Sequence, residues 1–192
     1  DEVVFGDSEG QKHRYVSGSV TDDERYLIIS ATDSTTGNYL YFKDLESDIS
    51  PILTILDDAS SDTYVLDHYM DNLLIVTDYK SPNNKIVTAS VESPTPEYWV
   101  DFVPEKDSVM TVSLGGNNIF VEYLEDALSV VSQFDYGGNL VRQVKLPGLG
   151  SVSAFSGKKE DKVLFYSFSN YSTPSSIYKF DVESGASILY EK

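Results

Sequence analysis

Val20-Thr21-Asp22-Asp23-Glu24-Arg25-Tyr26-Leu27-Ile28-Ile29-Ser30, followed after a polar gap by Tyr39-Leu40-Tyr41-Phe42-Lys43-Asp44, decides the fold. Thr21 to Arg25 are all polar and make a turn. Residues 26–30 and 39–43 are short aromatic and β-branched runs, which suit a pleated sheet better than a helix. The couplet returns three times along the chain. Residues 73–77 are followed by 85–89, 119–123 by 128–134, and 163–167 by 177–180, so that the second runs end at Asp44, Ser90, Asp135 and Asp181, a period of 45 or 46 residues.

Filling in each period gives a first strand at residues 16–20, 64–69, 109–114 and 151–155, and a fourth at 52–56, 99–103, 143–146 and 187–190. Leu114-Gly115-Gly116-Asn117-Asn118 and Tyr136-Gly137-Gly138-Asn139 supply turn residues that tolerate positive φ. Residues 122–131 carry apolar matches at i, i+4, but the β-branched pair Val130-Val131 and their place in the repeat favour a strand. Four-stranded antiparallel meanders at this period are the mark of β-propeller blades. The expected fold is therefore all-β: a β-propeller fragment of about four blades at 13–58, 59–104, 105–148 and 149–192, in a single partial domain. A β-sandwich also has short, regular strands but does not predict a grouping in fours. Residues 3–5 fall where the outer strand of an earlier repeat would lie, so 1–12 are read as that strand and the chain as part of a larger ring. Such an arc leaves open sheet faces, so self-association through them, or a forced closure, is expected.

Of the 192 residues, 41% are hydrophobic and 12% aromatic, enough to form a core and exclude disorder. Lys and Arg number 14 against 31 Asp and Glu, and a net charge of −17 repels phosphate backbones, so nucleic acid is not an expected partner. With no cysteine there is no disulfide framework, thiol catalysis or Cys-based zinc site, and the compartment stays open. No apolar run approaches the roughly 20 residues that a helix needs to cross a bilayer, and no membrane partner is expected.

Further stretches are more particular: Asn38-Tyr39-Leu40-Tyr41-Phe42-Lys43-Asp44-Leu45, Thr77-Asp78-Tyr79-Lys80-Ser81-Pro82-Asn83-Asn84-Lys85-Ile86, Leu149-Gly150-Ser151-Val152 with Phe155-Ser156-Gly157, and the run from Ser167 to Tyr178. In this order, and together with the opening stretch, they resemble the propeller domain of the prolyl oligopeptidase family, serine endopeptidases that cut short peptides after proline. The resemblance covers nearly the whole chain. It implies a seven-bladed parent with an α/β-hydrolase domain that holds a Ser-Asp-His triad outside this sequence, so no nucleophile elbow is expected within it. It also implies short proline-containing peptides as substrates, a propeller that gates their entry, and no activity of the chain alone. Substrate contacts would come from the segments matching Arg14–Ser17 and Leu40–Lys43, with Tyr15 and Lys43 as gating candidates. Lys43 departs from the small or apolar residue of some relatives, which weakens the case for an apolar subsite there.

The residues themselves add little chemistry. His68, on a predicted innermost strand, is a third gating candidate that could face the central tunnel, against a plain reading as a hydrogen-bonded histidine. His13 lies in a polar linker with no expected role. The pairs Asp22-Asp23, Asp57-Asp58 and Glu105 with Asp107 are not aimed across a cleft, as glycoside chemistry requires. Neither 57–62 nor 33–37 has the spacing of a calcium loop. No catalytic residue, metal or cofactor is therefore expected. Trp99, with Tyr98 and Phe102, reads as glue between blades rather than as a sugar platform. A stand-alone propeller-like module that binds a protein or peptide through its rim loops remains the alternative reading.

Overall fold

The computed structural model of the chain describes residues 3–6, 9, 12–47, 49–153 and 155–191. Sixteen strands form four antiparallel sheets, each ordered as the chain runs. The first holds β1 (Tyr15–Val20), β2 (Tyr26–Thr32), β3 (Tyr39–Asp44) and β4 (Ile52–Leu56), and the second β5 (Thr63–Tyr69), β6 (Asn72–Thr77), β7 (Lys85–Ser90) and β8 (Val100–Val103). The third holds β9 (Met110–Gly115), β10 (Asn118–Glu125), β11 (Leu128–Phe134) and β12 (Leu140–Gln143), and the fourth β13 (Ser151–Val152), β14 (Val163–Asn170), β15 (Thr173–Asp181) and β16 (Ser187–Glu191). No α-helix forms among the described residues, and a 3₁₀ turn at Pro96–Tyr98 leads into β8. The chain divides into two compact units, Asp1–Pro104 and Glu105–Lys192, with two sheets in each.

Each unit is held by the apolar faces of its two sheets. In the first, Tyr26, Ile28, Leu40 and Phe42 of one sheet share a core with Leu73, Ile75, Val87 and Ala89 of the other. Trp99 packs against this core edge-on to Tyr79, and its indole N–H donates to the Pro94 carbonyl at 2.7 Å. In the second unit, Phe120 and Val131 meet Phe155, Leu164, Tyr166 and Phe180.

Turn chemistry explains where the strands depart from expectation. Residues 122–131 are neither one helix nor one strand. Asp126 and Ala127 both take positive φ (49° and 64°), and the two-residue turn they make brings Glu125 opposite Leu128. Strand β12 begins at Leu140 rather than at 143, because the Asp135 carboxylate accepts the N–H groups of Gly137 (2.9 Å) and Asn139 (2.8 Å) and ends the turn early. Strand β13 stops at Val152, short of the expected residue 155. Residues 3–5, read as an outer strand, join none of the four sheets; Phe5 instead lies 5.0 Å from the Tyr41 ring.

Gly37 has φ of 71°, and a Cβ there would lie 1.9 Å from the Ala59 carbonyl oxygen, whereas one on Gly18 would meet nothing closer than 3.7 Å. Gly37→Ala is therefore expected to cost at least about 1 kcal/mol in urea unfolding, while Gly18→Ala stays within about 0.5 kcal/mol of the parent. Equal effects would contradict the turn geometry.

Candidate functional site

The polar turn of the first repeat folds on its own side chains. The Thr21 hydroxyl donates to Asp23 Oδ1 (2.7 Å) and accepts the Tyr26 N–H (3.1 Å), while Glu24 sits at φ of 61°. This aims the other oxygen of Asp23 outward, and His68 of the second sheet meets it. His68 Nε2 lies 2.8 Å from Asp23 Oδ2, its Nδ1 lies 3.1 Å from the Met70 carbonyl oxygen, and its ring stands edge-on to Tyr26 at 5.0 Å. Beside it, Arg25 reaches Asp71 (3.3 Å), Asp44 (3.7 Å) and Glu46 (3.8 Å), with its guanidinium over the Tyr26 ring. The result is a charged clasp between the β1–β2 turn and the β5–β6 turn. Burial works against ionisation of Asp23. The Thr21 hydroxyl, the Arg25 N–H and the His68 ring favour its anion and hold the carboxyl lower, at about 2.

At the other end of the first sheet, His13 is not the bland linker residue its neighbours suggest. Its side chain is only 7% exposed and packs on Tyr39, with centroids 4.5 Å apart. Its Nδ1–H donates to Asp33 at 3.1 Å, and Tyr41 Oη lies 3.4 Å from Nε2. Asp33 also accepts the Arg14 N–H at 2.8 Å.

The three gating candidates do not converge. Tyr15 is exposed on β1 opposite Thr32, whereas Lys43 lies opposite Leu27, whose other neighbour is Val20. Five residues of strand separate the two positions, roughly 17 Å. His68 belongs to the Lys43 end and its side chain is 10% exposed, so it serves the clasp rather than an open surface. Both nitrogens of each histidine have partners within the first unit, which leaves neither placed to take a proton from a serine. One string, Gly6-Asp7-Ser8-Glu9-Gly10, does spell G-x-S-x-G, contrary to the expectation of none. Asp7, Ser8 and Gly10 lie outside the described residues, and the strand that should lead into such an elbow is not formed at 3–5. Among the described residues, no group of three His, Asp or Glu side chains could hold a metal ion.

All 192 residues match the family described as prolyl oligopeptidase, N-terminal β-propeller domain. The chain is 43% identical, over its whole length, to a prolyl endopeptidase of Elizabethkingia miricola, and 41% identical to that of Elizabethkingia meningoseptica. It spans 27% of the length of each. A solved prolyl endopeptidase superimposes with a TM-score of 0.82 at 27% identity, over 93% of this chain and 26% of that one. Prolyl oligopeptidase B of Galerina marginata, bound to a 35mer substrate, gives 0.78 at 17% identity over 91% of this chain and 26% of its own, a likeness of fold.

The depressed carboxyl of Asp23 gives the clasp a pH signature with a definite sign. Its contribution is complete above the ordinary aspartate value of about 3.9 and is lost as the pH falls through about 2. With Asp23 half exposed, the parent should exceed Asp23→Asn by about 1 kcal/mol at pH 5. Urea midpoints should show this difference shrinking between pH 4 and pH 2. A difference that stays constant over that range would remove the clasp.

Proposed function

Since the chain belongs to the prolyl oligopeptidase N-terminal β-propeller family, we propose that it works as the propeller portion of a longer serine peptidase that cuts short peptides after proline. An α/β-hydrolase domain of the same parent supplies the catalytic groups. The observation that carries this reading is the end-to-end match at 43% identity to a prolyl endopeptidase of which the chain spans only 27%. The engagement of both histidines within the first unit agrees with a passive role in the chemistry.

Selectivity then arises by exclusion. Stiff four-stranded sheets leave an entry too narrow for folded proteins, so substrates are sorted by size before the acyl-transfer step. Tyr15 and Lys43 occupy opposite ends of the first sheet, so one of them faces the hydrolase and the peptide while the other does not.

Replacing the matched segment of the Elizabethkingia miricola enzyme by this chain tests the reading. The chimera is expected to cleave a fluorogenic Gly-Pro peptide and to spare a folded proline-containing protein, while the chain alone does neither. Either Tyr15→Ala or Lys43→Ala, but not both, should raise KM in that chimera. A folded but inactive chimera would favour the stand-alone binding module, and turnover by the chain alone would place a catalytic group within it. A second expectation concerns assembly. Phe165, Ile188 and Tyr190 of the fourth sheet are exposed, with Phe165 and Tyr190 in edge-on contact at 5.2 Å. Light scattering should show the mass of the isolated chain rising with concentration, and a strictly monomeric particle would exclude pairing through open faces.

A further inference from the structure

Between the third and fourth sheets of the second unit lies a partly enclosed cavity of about 180 Å³. Its apolar wall is built from Phe120 and Phe155, stacked 4.8 Å apart with planes 7° from parallel, and from Val131, which pairs with Glu122 and so shares its face of the sheet. Its polar wall is Glu122 of β10, flanked by Thr111 of β9.

The carboxylate is held in place by neutral groups. The Ser129 hydroxyl donates to Oε1, and the Thr111 hydroxyl to Oε2 at 3.4 Å. Ser129 is itself fixed from the fourth sheet. Its oxygen accepts the Val152 N–H at 3.0 Å and its own N–H donates to the Gly150 carbonyl at 2.9 Å, which leaves its proton to point at Glu122. Among the described residues, no lysine, arginine or histidine forms an ion pair with Glu122. A carboxylate has about four acceptor positions, and two hydroxyls use two of them.

An oriented carboxylate without a cationic partner, at the edge of an aromatic and aliphatic cavity, has the chemistry that recognises an organic cation. Calcium or magnesium takes six or more oxygens and finds one carboxylate here, while an anion would meet the charge of Glu122 directly. We propose that this cavity binds a short primary alkylammonium ion, its nitrogen on Glu122 and its chain against Phe120, Phe155 and Val131. The site lies within the second unit and is independent of the peptidase reading.

The probe is n-butylammonium, with 1-butanol as its uncharged counterpart, titrated into the full chain and followed by NMR on the signals of Phe120, Phe155 and Val131. Saturable shifts are expected with the ammonium ion, and at least tenfold weaker binding of the alcohol, because only the ammonium makes a charge-assisted bond to Glu122. Glu122→Gln keeps the shape of the side chain and should weaken the ammonium at least tenfold while leaving the alcohol unchanged. No saturable shift, equal affinity for the two probes, or undiminished binding to a folded Glu122→Gln variant would each overturn the proposal. Should that variant fail to fold, the two probes on the parent chain decide it.

Discussion

The structure depends on contact between residues one repeat apart. A four-stranded meander buries one face only when the next meander lies against it, so equivalent positions in successive repeats become neighbours. Asp23 meets His68 across 45 residues and Arg25 meets Asp71 across 46, which is the period itself. The same constraint sets the first core, where Tyr26 and Phe42 pack with Leu73 and Val87 of the following repeat.

The two units meet this constraint with different chemistry. In the first, a charged clasp closes the turn end of a mixed aliphatic and aromatic core, and its groups are held by Thr21, Met70 and Asp44. In the second, the aromatic rings of Phe120, Phe155, Tyr166 and Phe180 form a run of stacked and edge-on contacts, and Gln133 crosses to the Val182 carbonyl at 3.2 Å. Aromatic stacking is insensitive to pH, whereas a clasp built on carboxylates is not. The clasp therefore carries an acid sensitivity that the aromatic run lacks.

The strands were legible because apolar and polar residues alternate under a strict period, and the family because its turns follow in order. The rest was lost where backbone geometry overrode composition. Asp126-Ala127 turns the chain without a glycine or an asparagine, and the alanine, a residue that rarely takes positive φ, masked the hairpin. His13 looked inert beside Lys12 and Arg14, yet Tyr39 and Tyr41 project from the same face of β3 while Leu40 and Phe42 are buried on the other. Aromatic residues on both faces of a strand call for cover on both, and that signal could have pointed to the segment that carries His13. Tyr15 and Lys43 were grouped through family resemblance, but only the strand register reveals that they stand at opposite ends of one sheet.

The placement of the histidines bears on whether either could act as a general base. A general base needs a nitrogen that is open to a nucleophile and oriented by a third group. His13 has the orienting aspartate, but its second nitrogen faces Tyr41 and its ring is covered. His68 has both nitrogens within hydrogen-bond reach of protein oxygens. In each case the aspartate that would orient a catalytic histidine ties a fold element instead, at opposite ends of β2. Motif elements of hydrolytic catalysis are thus present in pairs, and their geometry commits them to holding fold elements together.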